Sequence, residues 1–255
     1  MIRLLIALAL AVTPAQFLQS RQAADGGFAE PNGAETVGLT AWAALALRAA
    51  GAPTGNALSY LQAHDDDGEA ALILLAEAAL GSPSPERAAR VRTQVGKTVN
   101  GTAWAVLALR QAGFPVPAAA RRYLLAHQAR SGGWSWLAGG TPDSNDTAAA
   151  IEALHALGVT GRPIRRGLAY LATLQNPDGG FELVAGRGSD AQSTAWALQA
   201  YTAAGRAPDA RALGYLARLR RADGSYRYSA AYSTTPVWVT AQVLPALLRK
   251  PFPLP

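Results

Sequence analysis

Two kinds of segment alternate along the chain. One kind is apolar on every side and covers residues 37–50, 68–80, 100–112, 146–157, 190–204 and 235–248, built mainly from Ala, Leu, Val and Trp. Runs of three to four turns with no polar face are buried helices. The other kind is amphipathic and holds most of the arginines, near residues 14–22, 54–63, 84–94, 117–129, 163–175 and 208–220. Gly and then Pro separate the segments, as in Gly51-Ala52-Pro53, Gly81-Ser82-Pro83 and Gly113-Phe114-Pro115. Gly supplies the left-handed residue after a helix, and Pro fits the first turn of the next. The pattern predicts twelve helices paired as six hairpins, with six buried helices inside six outer ones. An open solenoid needs polar capping repeats at its ends. None is evident, so a closed ring is expected.

The hairpins are internally repetitive. Residues 123–134 (YLLAHQARSGGW), 170–181 (YLATLQNPDGGF) and 215–226 (YLARLRRADGSY) align at spacings of 47 and 45 residues. Residues 17–28 (FLQSRQAADGGF) are a fourth copy, and a degenerate one starts at Tyr60. A second block, Thr-Ala followed by Trp or Ala, opens the buried helices at Thr40, Thr102, Thr147 and Thr194. Repeats of this length signal a stacked or ring-closed architecture.

Composition changes this picture little. A chain of 255 residues with 16% charged residues can bury a substantial core. The net charge is +6, but the arginines are spread over several helices. No basic block interleaved with aromatics points to nucleic acid. Arg3, an apolar run from Leu4 to Val12 and Thr13-Pro14-Ala15 resemble a signal peptide with cut points after Ala11 or Ala15. The expected organisation is a signal peptide over 1–15 and one toroid over 16–255, with the product secreted or at the cell surface.

The best-formed repeat runs from Arg166-Gly167-Leu168 through Gln175 to Gly179-Gly180-Phe181. It resembles the QW repeat of squalene and oxidosqualene cyclases and the related repeat of protein prenyltransferase β-subunits. The resemblance spans residues 16–255 and implies an (α/α)6 toroid in which Gln22, Gln128 and Gln175 are structural braces. It also implies four functional types: terpene cyclases, zinc prenyltransferases, thioester domains and cobalamin-binding proteins.

Residue chemistry sorts them. The chain has no Cys. A zinc site of the prenyltransferase kind and a thioester both need one. His64, His127 and His155 lie in different repeats without ligand spacing, His155 being expected in the core or lining a cavity. No metal and no cofactor are expected. Residues 143–148, Asp143-Ser144-Asn145-Asp146-Thr147-Ala148, resemble the acid motif of squalene–hopene cyclases, whose middle Asp protonates an alkene. Here that position is Asn145, and an amide cannot supply the proton. The resemblance further implies a cavity between two barrels, of which this chain has one. Asp143 to Asp146, and likewise Asp190, also suit helix capping. The run Asp65-Asp66-Asp67 reads as a cap as well.

The long loops at 23–35, 130–143, 176–189 and 221–234 all join outer to inner helices and so gather on one face. Their aromatic and Gly-rich character suits a ligand mouth. The expected binding residues are Trp134, Trp136, Asp143, Asn145, Asp146, Asp190, Tyr228 and Tyr232. Trp42, Trp104 and Trp196 are expected in the core. The leading expectation is a non-catalytic binding toroid for an apolar or corrinoid small molecule such as cobalamin. A separate β-rich lid protein or a membrane uptake system would be its partner, and nucleic acid would not. The alternatives are a terpene cyclase, which keeps the enzyme question open, and a cell-surface structural or docking ring.

Overall fold

The computed structural model describes residues 12–207 and 209–254. Most of the expected signal peptide, residues 1–11, lies outside them. The second of the two expected cut points, after Ala15, falls inside the first helix, α1 (Pro14–Gln19), which Thr13 caps from Oγ1 to the Gln16 N–H.

Every apolar segment is an inner helix: α2 (Val37–Ala49), α4 (Ala70–Ala79), α6 (Val99–Gln111), α8 (Ser144–Ala156), α10 (Ala191–Ala203) and α12 (Pro236–Leu247). Every amphipathic segment is an outer one: α1, α3 (Ala57–Ala63), α5 (Pro85–Arg92), α7 (Ala118–Ala126), α9 (Arg162–Thr173) and α11 (Ala210–Leu219). Consecutive inner helices pack side by side and α12 packs on α2, so the ring closes. Glu30 fastens the seam. Its two carboxylate oxygens accept the Val237 and Trp238 N–H groups at 3.0 and 2.8 Å, capping α12 from the first loop.

The repeat motif builds the joint between outer and inner helices. The Nε2 of Gln22 donates to Gly26 O and Thr54 O, at 3.0 and 2.9 Å. Gln128 does the same to Gly132 O and Pro163 O, and Gln175 to Gly179 O and Asp209 Oδ2. Each brace ties its own loop to the start of the next outer helix. The glycines are required by close approach. A Cβ at Gly132 or Gly179 would stand 2.5 Å from the backbone oxygen of Arg166 or Arg211, at φ +103 and +91.

Short two-stranded pairings, β1 (Phe28–Ala29) with β2 (Glu35–Thr36) and β3 (Phe181–Glu182) with β4 (Ser189–Asp190), were not expected from the sequence. They set the repeat aromatic opposite the residue that caps the following inner helix: Phe28 opposite Thr36, Phe181 opposite Asp190, and by an isolated bridge Trp134 opposite Asp143. The aromatic's own N–H then donates to the Thr of the second block, Thr40, Thr147 or Thr194, at 2.9 Å each.

Two expectations about charged residues are corrected. Of the acidic run, Asp66 does cap, accepting the Gly68 N–H, but Asp65 pairs with Arg87 and Arg90 and Asp67 with Arg90. Arg87 itself is buried, 3.2 Å from the buried Glu77. His155 faces solvent on the last turn of α8, so it lines no cavity.

Candidate functional site

The ring's lumen is set by helix register. Trp42, Trp104 and Trp196 each take the sixth position of their inner helix, on α2, α6 and α10. Every second helix therefore sends an indole inward. The three rings meet with centroids 5.6 to 6.0 Å apart and planes at 83 to 86°, mutually edge to face. That is the favoured aromatic geometry. They form a layer across the lumen.

Above this layer, toward the helix N-termini, lies a pocket of about 300 Å³. Its floor is the three tryptophans, and Asn100, Asn145, Asp146 and Gln192 project from the first turns of α6, α8 and α10. Trp136 and Leu183 close over it from the loops. Asn100 and Gln192 precede Trp104 and Trp196 by four residues, which puts each pair on one helix face. Two adjoining depressions, of about 640 and 240 Å³, share Trp42 with it, so the mouth extends past Glu69 and Trp238.

Asp146 is the chemically distinctive group. It is 5% exposed. Its Oδ1 accepts the Asn100 amide N–H at 2.7 Å, and its backbone N–H donates to Asp143 Oδ1 at 2.8 Å. Burial first, then the charge and the side-chain hydrogen bond of Asp143, push its pKa up to about 8, while the Asn100 amide pulls the other way. Burial raises Asp143 as well, against hydrogen bonds from Asp146 and Asn145. Two carboxyls this close cannot both ionise freely, so the pair holds a proton at neutral pH.

The expected site residues divide accordingly. Trp136, Asp143, Asn145 and Asp146 come together in the pocket. Trp134 is a correction: it is fully buried and its indole N–H donates to Leu124 O at 2.7 Å, so it is core. Its backbone holds Asp143, whose N–H donates to Trp134 O. Asp190 is spent on capping, its oxygens accepting Ser193 N–H and Oγ–H at 2.7 and 2.9 Å. Tyr228 is half-buried beside Asp190, and Tyr232 is exposed; neither lines the pocket. Trp42, Trp104 and Trp196 pack in the core as expected and also floor the site, while Asn100 and Gln192 line it and were missed. Aligning α2, α6, α8 and α10 on their caps would have found them, because their second and sixth positions line the mouth: Gly38 and Trp42, Asn100 and Trp104, Asn145 and Ala149, Gln192 and Trp196. Among the described residues no group of three or more His, Asp or Glu is placed to hold a metal.

In solved structures the fold recurs. A type II terpene cyclase from Scytonema in complex with geranylgeranyl dihydroxybenzoate superposes with a TM-score of 0.72 at 17% identity, covering 92% of this chain and 95% of that one. An ent-copalyl diphosphate synthase from Streptomyces platensis gives 0.62 at 18% identity, covering 84% of this chain and 50% of that one. A glycosidase in complex with glucose gives 0.67 at 14% identity over 92% and 94%. Such identities speak for the fold alone. The Scytonema protein does correct one expectation: a terpene cyclase chain can be the length of one toroid. Among curated proteins no sequence matches significantly. The model of the prenyltransferase alpha-alpha toroid domain matches residues 5–67 and 100–232, and the chain belongs to that family.

Proposed function

We propose that this toroid works as a terpenoid-cyclase-type protein, taking the oxygen-bearing end of an isoprenoid into the pocket above the tryptophan layer, with Asp146 as general acid. The observation that carries this reading is a carboxyl that is protonated at neutral pH and set in the wall of an indole-floored pocket. Asn145 takes the middle place of the acid motif and cannot donate in that way. Asp146, one residue on, can.

The strength of the acid selects the substrate. A pKa of about 8 keeps the proton on Asp146 at neutral pH but makes it a weak donor. A bare alkene is too poor a base for it. An epoxide oxygen accepts a hydrogen bond and opens under general-acid assistance. The proton passes from Asp146 to that oxygen, the carbon–oxygen bond breaks, and the electron pair of a neighbouring alkene closes the ring onto the carbon. Positive charge then develops over indole faces, which attract cations. Asn100 stabilises the carboxylate left behind. The cation then loses a proton to solvent, and solvent returns one to the Asp146 carboxylate.

The test is product analysis with a terminally epoxidised geranylgeraniol and with geranylgeraniol itself. Cyclised product is expected from the epoxide only, disappearing in Asp146→Asn and persisting in Asp190→Asn. A specific observation favours a second reading: with Asn145 in the motif's centre, the pocket binds without turnover. In that case both alcohols come back unchanged yet are retained in equilibrium dialysis. Cobalamin belongs in the same dialysis series as the ligand of the carrier reading.

A further inference from the structure

Beneath the tryptophan layer the lumen is filled by the chain itself. After α12 the backbone turns at Arg249, left-handed at φ +56, and runs back under the ring. Lys250 Nζ donates to Ala49 O at the end of α2, at 2.8 Å. The Phe252 ring, 2% exposed, lies 6.1 and 6.2 Å from Trp42 and Trp196, centroid to centroid. Its backbone N–H donates to Glu152 Oε2 at 2.7 Å.

The polar groups around this tail are out of keeping with their surroundings. Glu152, Gln199 and Gln242 sit on three consecutive inner helices, α8, α10 and α12, and each is 1% exposed. Gln242 Oε1 accepts the Trp196 indole N–H at 2.9 Å, but among the described residues its Nε2 has no partner. Neither polar atom of Gln199 has one, nor has Glu152 Oε1. Gln199 follows Trp196 by three residues and shares its face. Buried side-chain polar atoms are normally paired, and leaving one unpaired costs about 1–3 kcal/mol. Four such atoms in the C-terminal halves of three helices, where the buried neighbours are mainly Ala, Leu, Ile and Val, need a reason. Burial also pushes the Glu152 carboxyl well above its ordinary range, favouring its neutral form. A neutral carboxyl and two amides both donate and accept.

We propose that the Glu152–Gln199–Gln242 cluster beneath the tryptophan layer is a second binding site, entered from the C-terminal face of the inner helices, for a neutral amphiphile with an amide or hydroxyl head, and that residues 250–254 are its built-in occupant. The tail has that chemistry already: an amide N–H on Glu152 and an apolar body, Phe252 and Leu254, in the lumen. A ligand of this class displaces it. The site lies across the indoles from Asp146 and stands whether or not the mouth is catalytic.

The probe is octan-1-ol, titrated into the full chain and followed by tryptophan fluorescence. A site self-occupied nine-tenths of the time binds about tenfold more weakly than an open one. Phe252→Gly is therefore expected to tighten octanol binding about tenfold, and Gln199→Leu in that background to weaken it again. Trp136→Ala is expected to leave it unchanged. Equal affinity with and without the Phe252 side chain, indifference to Gln199→Leu, or loss on Trp136→Ala each overturns the proposal. Hydrogen exchange on the unmodified chain needs no variant to fold. Saturating octanol should release the Phe252 amide from protection, and unchanged protection would overturn the displacement.

Discussion

The inner helices α8 and α10 begin alike and end up with different chemistry. Each starts on an Asp, Asp143 or Asp190, held opposite a repeat aromatic and accepting the N–H three residues on, at 2.8 and 2.7 Å. On α10 that third residue is Ser193, whose hydroxyl also donates to the cap, so Asp190 is satisfied within its own turn. On α8 it is Asp146, a second carboxyl, which has to look across to Asn100 on α6 for a donor. One difference, Ser against Asp at the same place, turns a cap that burial raises but the Ser193 hydrogen bonds hold down into a carboxyl pair in which each group is raised. The loops add to it: Trp136, whose carbonyl accepts the Val99 and Asn100 N–H groups at the start of α6, lines the pocket, whereas Tyr228 stands beside Asp190 without reaching it. A shared scaffold thus puts a buried carboxyl pair at one of its equivalent joints by a single side-chain choice.

The sharpest way to break this comparison is Asp146→Asn. A general acid contributes about 10²- to 10⁴-fold, so turnover of the epoxide should fall at least about a hundredfold while the Kd for the unreacted isoprenoid stays near its original value. Residual activity at full strength would put the acid elsewhere. Next in size is Trp136→Ala, which removes one aromatic wall of the pocket and should weaken isoprenoid binding by roughly 1 kcal/mol through lost apolar burial, read by equilibrium dialysis. The same change should not alter the thermal midpoint, because Trp136 is exposed.

Much of this ring could be read from residue order. Helix number, pairing and the Gln braces follow from period, Gly–Pro punctuation and the spacing of Gln22, Gln128 and Gln175, since those signals are local. The site was legible only in part. Asp143, Asn145, Asp146 and Trp136 carry recognisable motif or loop chemistry. Trp134 misled because an aromatic after a Gly pair looks the same whether it points to the core or the mouth; a bond from its indole to Leu124 O decides that, and it spans the hairpin. The indole layer is core, as Trp in an Ala-rich helix normally is. Its lumen-facing role arises only when alternate helices close a circle, which is a property of the ring. Glu152 likewise means little until Phe252 reaches it from 100 residues further along the chain.

Asp143→Asn sharpens the comparison through pH. Asn caps a helix about as well as Asp, so α8 stays capped. Losing the neighbouring charge lowers the Asp146 pKa from about 8 toward the ordinary carboxyl range. Activity that depends on protonated Asp146 should then fail at lower pH, moving the alkaline limb of the rate profile downward. Stability follows the same sign. A carboxyl whose pKa is raised by folding stabilises fully below its unfolded value near 4, and that contribution is lost as pH rises toward 8. In Asp143→Asn this loss should be complete at a lower pH, read as the thermal midpoint against pH. An unmoved limb would mean that burial alone, without Asp143, sets the Asp146 proton.

The smallest expected effect falls on the silent partner. Asp190→Ala leaves the Ser193 N–H and hydroxyl without their acceptor at a position 1% exposed. Removing such a cap costs about 1–2 kcal/mol. For a chain of this size that is a drop of about 2–4 °C per kcal/mol in the thermal midpoint, and Asp190→Asn should recover most of it. Turnover at a temperature where the variant is folded should be unaffected, because Asp190 does not line the pocket. The two Asp-capped entrances therefore make opposite forecasts from one geometry: substitution at α8 changes chemistry, and substitution at α10 changes only stability. If Asp190→Ala abolished turnover with its fold intact, the entrances would be equivalent in function as well as in form. The reactive site would then have to be redrawn to span α8 and α10 together.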